Sequence, residues 1–356
     1  MKDPRIERLA KILVDYSTRV KKGEVVEIFS HEAGKPLFLE VYKQVIKREP
    51  KEIIANIRFP ETAEIYYKNV SDRQLRQFPK LAMHLTKNTN VTIQISAPTN
   101  LKSLGSIDPK RQSVRAKTMQ PLSDYAVKNI RWVLTEYPTE ALAQEAEMSL
   151  DEFEDFVFSA TNIDWTKMSK SQDKIKKVFD NAEKVSIVAE GTELELSLRG
   201  RLAVKGNGSH NMPDGEIFFA PIDNSANGKI TFTYPAIYAG REVDGITLEF
   251  KDGKVIRASA TKNNGFLQQM LNTDKGAKYL GEFGIGTNTG ITKYIKNILF
   301  DEKIAGTIHL ALGMAYEECG GKNKSAIHWD MIKDLRKGGY IYVNDRLVQK
   351  NGKWLF

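Results

Sequence analysis

The chain has 356 residues, enough for about two domains, with 41% hydrophobic residues, 28% charged residues and a net charge of +8. Its one cysteine, Cys319, excludes an intramolecular disulfide and a zinc site built from several cysteines. No run of about 18 apolar residues is present, which excludes a transmembrane helix, and no apolar signal segment follows Met1, so we predict a cytoplasmic protein without a membrane partner.

The first half of the chain alternates predicted helices and strands. Pro4 begins a helix that Asp3 caps, and the capping box at Ser149–Glu152 begins another. Further helices are predicted at 36–46, at 79–86 and after Thr139, and strands at 24–30, 52–59, 90–96 and 129–135. Strands separated by helices predict a parallel sheet. No glycine-rich phosphate motif follows these strands, so nucleotide binding has no support.

The pattern changes near residue 180. Residues 185–188 and 193–198 alternate apolar and polar side chains, and turn pairs such as Asn207-Gly208 and Asp252-Gly253 follow at short intervals. A helix is predicted at 265–271. We therefore predict an N-terminal parallel-sheet α/β domain, residues 1–180, and a C-terminal α+β metal-binding domain, residues 181–356.

The C-terminal half carries several side chains that can bind metal ions. His328 and Asp330 are two positions apart, so in a strand they would face the same side, with Trp329 on the other. An imidazole and a carboxylate on one face suit a divalent ion. A simple His–Asp hydrogen bond on a solvent-facing strand is the alternative interpretation.

Four other residues each allow more than one interpretation. His309 lies in an apolar run and is either a ligand or a hydrogen-bonded core histidine. Glu282 lies among glycines, where a metal ion, an arginine or exposure to solvent would compensate its charge. Glu216 follows a turn and is a ligand or a turn carboxylate. Tyr316 is a site residue or a structural aromatic; on a helix it would share a face with His309.

Taken together, four segments resemble the thermophilic aminopeptidase family, the type of aminopeptidase T and aminopeptidase S. The segments occur in the family's order, and the resemblance covers most of residues 185–335. They are Asn211–Pro221 (N-M-P-D-G-E-I-F-F-A-P), Leu280–Asn288 (L-G-E-F-G-I-G-T-N), Asp301–Tyr316 (D-E-K-I-A-G-T-I-H-L-A-L-G-M-A-Y) and Ser325–Ile332 (S-A-I-H-W-D-M-I).

The resemblance implies a set of metal ligands and a catalytic tyrosine, Tyr316. The implied ligands are Glu216, Glu282, Glu302, His309, His328 and Asp330. Six ligands exceed what one tetrahedral zinc needs and suit two divalent ions, Zn²⁺ or Co²⁺, with Glu282 as the bridging and catalytic carboxylate. The six residues between Glu302 and His309 depart from the shorter gap of some family members, and the stretch from Tyr316 to His328 is also short.

By this resemblance we expect a metal-dependent aminopeptidase that acts on peptides with a free N-terminus and forms a homodimer. Two alternatives stay open: another dinuclear metal hydrolase, such as an amidase or a carboxypeptidase, and a non-catalytic metal- or peptide-binding protein. Nucleic-acid binding through the net charge of +8 is a further alternative. The basic residues are scattered and no known nucleic-acid-binding motif is present, so we predict no nucleic-acid partner.

Overall fold

The computed structural model describes residues 3–238 and 240–356, which form two compact units. The first unit comprises the described residues up to Asn162 together with Gly208–Pro213, and the second comprises Ile163–Asn207 and the described part of Asp214–Phe356. The division falls earlier than the domain boundary expected near residue 180. The reason is the helix at Trp165–Phe179, whose buried Ile175 and Phe179 belong to the core of the second unit.

The first unit alternates helices and strands. Its helices are α1 (Pro4–Lys11, continued by a π-helical turn, Ile12–Ser17), α2 (Lys35–Ile46, preceded by a 3₁₀ turn, Glu32–Gly34), α3 (Glu61–Asn69), α4 (Asp72–Leu75), α5 (Lys80–Lys87), α6 (Pro109–Asn129), α7 (Glu140–Glu145) and α8 (Leu150–Thr161). Its first four strands are β1 (Val25–His31), β2 (Glu52–Arg58), β3 (Val91–Ser96) and β4 (Arg131–Glu136).

These strands form the predicted parallel sheet. Its order is β2-β1-β3-β4, and a later two-residue strand, Asn211–Met212, joins β4 in parallel register. Every second residue of β1 and β3 is buried, so one face of the sheet packs into an apolar core. The predicted caps are also present: Asp3 accepts a hydrogen bond from the amide of Arg5, and Ser149 forms its capping box with Glu152.

The second unit contains short strands and few helices. Its helices are α9 (Trp165–Phe179), α10 (Asn264–Leu271) and α11 (Ile298–Asp301), with a 3₁₀ turn at Glu317–Cys319. In chain order the remaining strands are β5 (Val185–Ala189), β6 (Thr192–Leu196), β7 (Val204–Gly206), β8 (Asn211–Met212, in the first unit), β9 (Glu216–Phe219), β10 (Asn227–Thr231), β11 (Ala236–Tyr238), β12 (Arg241–Val243), β13 (Thr247–Lys251), β14 (Lys254–Ser259), β15 (Leu280–Gly286), β16 (Thr307–Gly313), β17 (His328–Asp334), β18 (Tyr340–Val343), β19 (Arg346–Lys350) and β20 (Lys353–Trp354).

Antiparallel pairing organises these strands, as the alternation after residue 180 predicts. An eight-stranded sheet has the order β14-β13-β10-β6-β5-β18-β19-β20, a five-stranded sheet the order β17-β16-β15-β9-β7, and β11 and β12 form a separate ribbon. The two larger sheets share one apolar core with α9 and α10. The predicted fold class, a parallel-sheet α/β region followed by an α+β region, is confirmed.

Some helices of the first unit escape sequence analysis. The longest is α6, whose 21 residues include Pro121 and none that is buried; its weak amphipathicity and its internal proline give no clear helical signal in the sequence. Helices α3 and α4 are short and were also not predicted. Within the described residues, no helix combines the length and apolar character needed to cross a membrane.

Candidate metal centre

The sequence-predicted site residues lie on one face of the five-stranded sheet of the second unit. Strands β15 and β16, at its centre, are buried along their whole length. One face of the sheet contributes Phe219, Phe283, Leu310 and Trp329 to the apolar core. The polar residues of the same strands alternate with these and therefore point to the opposite face.

The strand register brings the polar residues into adjacent rows. Gly284 of β15 lies opposite His309 of β16, and Gly286 lies opposite Glu216 of β9. In the next row, Ala311 lies between Glu282 and Asp330, its partners on the two neighbouring strands. His328 begins β17 and shares a face with Asp330, with Trp329 in the core behind them. The predicted strand geometry of the His-x-Asp motif is confirmed.

Six side chains form two groups of three that can each hold a metal ion. We call Glu216, Glu302 and His309 the first triad, and Glu282, His328 and Asp330 the second triad; within each, one potential ligand atom per residue lies within 4.8 Å of the others.

Glu282 connects the two triads. Its Oε1 is 3.0 Å from His309 Nε2, and its Oε2 is 3.5 Å from His328 Nε2. Within the triads, Glu216 Oε2 is 3.3 Å from His309 Nε2, and Asp330 Oδ1 is 3.6 Å from His328 Nε2. One carboxylate therefore lies within 3.5 Å of an imidazole of each triad.

Glu302 reaches the first triad from a helix end rather than from a strand. It is the C-terminal cap of α11, and the preceding residue, Asp301, holds this turn in place. Asp301 Oδ1 accepts a hydrogen bond from the amide of Ile295 at 2.8 Å, and Oδ2 accepts one from Asn297 at 2.6 Å. Burial raises the pKa of Asp301 to about 8, against these hydrogen bonds.

Gly284 makes room for the imidazole of His309. A Cβ atom at residue 284 would lie 1.9 Å from His309 Nε2 and 2.0 Å from Cε1, so no larger side chain fits there. The ring of His309 is fully buried. Gly284 is therefore required for a steric reason: the absence of a side chain at this position lets the neighbouring strand place His309 against Glu282.

Tyr316 lies beside the second triad, but not for the reason that its spacing suggests. A helix carrying both His309 and Tyr316 is wrong, because residues 307–313 form strand β16 and Tyr316 follows that strand. The tyrosine ring instead lies between the rings of Phe218 and His328, with centroid distances of 5.5 and 5.1 Å. Burial and the nearby carboxylates, first that of Glu282, raise the pKa of Tyr316 far above its ordinary value, so its hydroxyl keeps its proton.

The concentration of buried acids shifts the protonation of the centre. Burial raises the pKa of Glu216 and of Glu282 above their ordinary values. Burial opposes the charged form of the histidines, yet the adjacent carboxylates raise the pKa of His309 to about 9 and that of His328 to about 10. In the absence of other cations the cluster therefore holds protons, and a divalent ion would displace them.

Residues 2–354 match the protein family described as thermophilic metalloprotease (M29). The chain belongs to this family. The M29 match spans both units and confirms the family expected from the four sequence segments, and it makes the chain a metal-dependent protease by family.

Named relatives of this M29 chain cover it almost completely. It is 27% identical to Aminopeptidase 2 of Geobacillus stearothermophilus and 25% identical to Aminopeptidase AmpS of Bacillus subtilis, in each case over 99% of this chain and 98% of the relative. Among solved structures, wild-type AmpT from Thermus thermophilus superimposes with a TM-score of 0.87 at 20% identity, over 99% of both chains. That superposition shows that the two chains share a fold.

The donor set of the M29 chain fits divalent ions. Four carboxylates and two imidazoles converge, and Glu216, Glu282 and His309 are nearly or fully buried. Buried carboxylates in such numbers are costly unless cations compensate them, and mixed oxygen and nitrogen donors suit ions such as Zn²⁺. The role of each of the six residues as a ligand stays a prediction.

Two residues that shape the centre carry no recognisable signal in the sequence. Gln172 of α9 is fully buried, and its Nε2 donates to the backbone oxygens of Gly206 and Glu216, which fixes β7 and β9 together. Lys303 is also fully buried, and its ammonium forms ion pairs with Glu216 and Glu302. Neither has a local signal beyond its place in the chain: Gln172 lies on a lysine-rich helix, and Lys303 directly follows Asp301-Glu302.

Proposed function

We propose that the chain is an aminopeptidase that uses two divalent metal ions to release the N-terminal residue of peptides. The observation that carries the proposal is the position of Glu282, which lies 3.0 Å from an imidazole of the first triad and 3.5 Å from one of the second. A single carboxylate thus joins two complete sets of donors. The names of the relatives, which are aminopeptidases, support the exopeptidase assignment.

The six predicted ligands would hold the ions, with Glu282 shared between the triads. When bound, the ions supply a Lewis acid for the scissile carbonyl and lower the pKa of a water towards neutrality. Proton transfer to the leaving amine falls to a carboxylate oxygen of the cluster. The free α-amine of the substrate would bind one of the ions or a nearby carboxylate, which is the basis for removing one residue at a time.

Tyr316 supplies the hydrogen-bond donor in this proposal. Its ring lies between the rings of Phe218 and His328, and a tyrosine hydroxyl, with an ordinary pKa of about 10, is protonated at neutral pH. A neutral phenol in this position can donate to the oxyanion that develops on the substrate, and such a donor stabilises the transition state more than the ground state.

We expect Glu282→Gln and His309→Ala each to reduce hydrolysis of aminoacyl-anilides by more than about a thousandfold, since each removes part of a unit that acts together. Circular dichroism should show that both variants stay folded. His84→Ala is the matched control, because His84 is an exposed histidine of α5 in the first unit. Full activity in either site variant would exclude the proposed centre.

Chelation tests the requirement for metal ions directly. Removal of divalent ions should abolish hydrolysis, and readdition of Zn²⁺ or Co²⁺ should restore it. A panel of peptides with free and with blocked termini then identifies the reaction. Turnover that requires a free α-amine supports the aminopeptidase, turnover that requires a free carboxylate indicates a carboxypeptidase, and turnover of doubly blocked peptides indicates an amidase or endopeptidase. Metal binding without any turnover indicates a binding protein.

We propose further that the ions are Zn²⁺ or Co²⁺, that the protein is a cytoplasmic homodimer, and that it acts without a nucleic-acid or membrane partner. The mixed donors support these ions. The single cysteine, Cys319, is buried and free, as suits a reducing compartment. The family resemblance supports the homodimer. Metal analysis tests the ions, cell fractionation tests the cytoplasmic location and the absence of a membrane partner, and sedimentation of the purified protein with and without nucleic acid tests the homodimer and the absence of a nucleic-acid partner.

A further inference from the structure

A lysine lies within the proposed metal centre. Lys303 is fully buried, and its Nζ is 3.4 Å from Glu216 Oε1 and in closer contact with Glu302 Oε1. Both carboxylates belong to the first triad, the set to which His309 contributes its imidazole. The structure therefore places a positively charged side chain against two of the three groups expected to hold one of the ions.

A buried ammonium group is unfavourable unless opposite charges and hydrogen-bond acceptors surround it. Glu216 and Glu302 provide both for Lys303, and Glu302 Oε1 accepts its hydrogen bond. The same oxygens are the ones that the first triad would offer to a divalent ion. An ion bound there would consequently share its carboxylates with the ammonium and would be repelled by it at short range, where the dielectric screening of water is weak.

We propose that Lys303 is a resident cation of the first triad, that is, a permanent positive charge in contact with its carboxylates. This charge lowers the affinity of the first triad for its divalent ion. The inference rests on the proposed function, because it assumes that the two triads are metal sites. Its consequence is that the ion of the first triad exchanges with solution more readily than it would without Lys303. The amount of free metal then controls how much of the protein carries both ions.

This role differs from a purely structural one. A lysine that only filled space could be replaced by a neutral side chain of similar length with no change in metal affinity. Replacing a resident cation by a neutral side chain must change the metal affinity. The two carboxylates are then left with uncompensated charge and attract a divalent ion more strongly. The metal-free protein should lose stability when Lys303 is neutralised, while the metal-bound protein should not lose as much.

The test is a titration of the metal-free protein with Co²⁺, in which binding is monitored by calorimetry and by visible absorbance. The Glu302→Gln variant identifies which binding event belongs to the first triad, because it should weaken or abolish Co²⁺ binding at one class of site only. In Lys303→Met and in Lys303→Gln, that same class should bind about tenfold tighter or more, and the other class should change by no more than about twofold. Lys303→Arg keeps the charge and should retain the weak binding.

Lys333→Met is the matched control. Lys333 is also a buried lysine of the second unit, but its Nζ donates to the backbone oxygen of Glu190 at 2.8 Å. Its removal should leave both classes of ion unchanged. Thermal unfolding gives a second readout. Without metal, the Lys303→Met variant should have a lower melting temperature than the unmodified protein. Added Co²⁺ should raise the melting temperature of this variant by more than it raises that of the unmodified protein.

The outcomes separate this inference from the proposed function. An unmodified protein that binds no divalent ion contradicts the proposed function, and the inference with it. An unmodified protein that binds ions, with an unchanged first-triad affinity in the Lys303→Gln and Lys303→Met variants, contradicts the inference alone. If the Met variant does not fold, the Gln variant, which keeps a polar group near Glu302, decides.

Discussion

At the scale of single residues, the centre depends on where side chains are missing as much as on where they are present. His309 packs directly over the backbone of Gly284, and the absent Cβ leaves the space that its ring fills. The two strands are hydrogen-bonded neighbours and cannot move apart without disrupting the sheet. The imidazole is therefore held between Glu216 and Glu282 by the shape of the backbone beneath it.

We expect Gly284→Ala to destabilise the protein by about 1–3 kcal/mol, because the added methyl group overlaps His309 in a packed interior. Divalent-ion binding should weaken as the imidazole is displaced. Gly265→Ala is the control: residue 265 lies in α10 with open space around its Cβ position, and alanine in a helix adds about 0.4–1 kcal/mol of stability. Chemical denaturation and calorimetric titration measure both effects. Unchanged metal affinity in Gly284→Ala would contradict this account.

At the scale of elements, β17 carries His328 and Asp330 near its start and is anchored at its end. Asp334, its last residue, accepts hydrogen bonds from the Arg336 side chain and from the Tyr234 hydroxyl, the latter at 2.8 Å. Tyr234 in turn stacks on Tyr294 with a centroid distance of 4.7 Å. This cluster fixes the position of the strand and, through it, of two predicted ligands.

The anchor predicts a pH dependence of stability. Burial alone would raise the pKa of Asp334, but the hydrogen bonds from Arg336 and Tyr234 outweigh it, so the pKa lies below its ordinary value. A lowered pKa in the folded state contributes stability that is present above about pH 4, the unfolded value, and is lost as the pH falls through the folded value. Asp334→Asn should therefore cost about 1–2 kcal/mol at pH 7 and less at pH 3.

Denaturant unfolding at several pH values measures this difference. The control is Asp252→Asn, which changes an exposed turn aspartate between β13 and β14 and should have little effect at any pH. A loss of stability in Asp334→Asn that is the same at pH 3 and pH 7 would show that the carboxylate charge is not involved.

Local patterns determine which elements could be predicted from the sequence. The strand with His328 and Asp330 on one face follows from alternation over three residues, and the caps at Asp3 and Ser149 follow from residue types at fixed spacing. Helix α6 could not be predicted, because it is only weakly amphipathic and contains Pro121, a residue that is rare inside helices. The strand at 307–313 could not be distinguished from a buried helix, because every residue in it is buried.

At the scale of the whole molecule, the centre is assembled from distant parts of the chain. Strand β9 provides Glu216, β15 provides Glu282, the end of α11 provides Glu302, and β16 and β17 provide the remaining three predicted ligands. No periodicity links these segments, so only the family resemblance grouped them before the structure. Lys303 was not found because its burial depends on the tertiary packing of the turn after α11.

We expect removal of divalent ions to lower the stability of the protein as a whole. A ligand that binds only the folded state stabilises it by about 2.7 kcal/mol at a concentration one hundred times its dissociation constant. The melting temperature should fall on chelation and recover with Zn²⁺ or Co²⁺. Hydrogen exchange should accelerate in β9, β15, β16 and β17, while β1 and β3 of the first unit, which carry none of the predicted ligands, should not change. Uniform acceleration would argue against a local centre.

The order of the strands in the five-stranded sheet has a consequence for synthesis of the protein. Its central pair, β15 and β16, is enclosed by β9, made earlier, and by β17, made later. Synthesis therefore completes the first triad, whose last residue is His309, before the second triad, whose last residue is Asp330. Phe219 of β9 pairs with Phe283 of β15, far away along the chain, and such non-local pairing is slow. The complete set of six predicted ligands can form only after β17 has been synthesised.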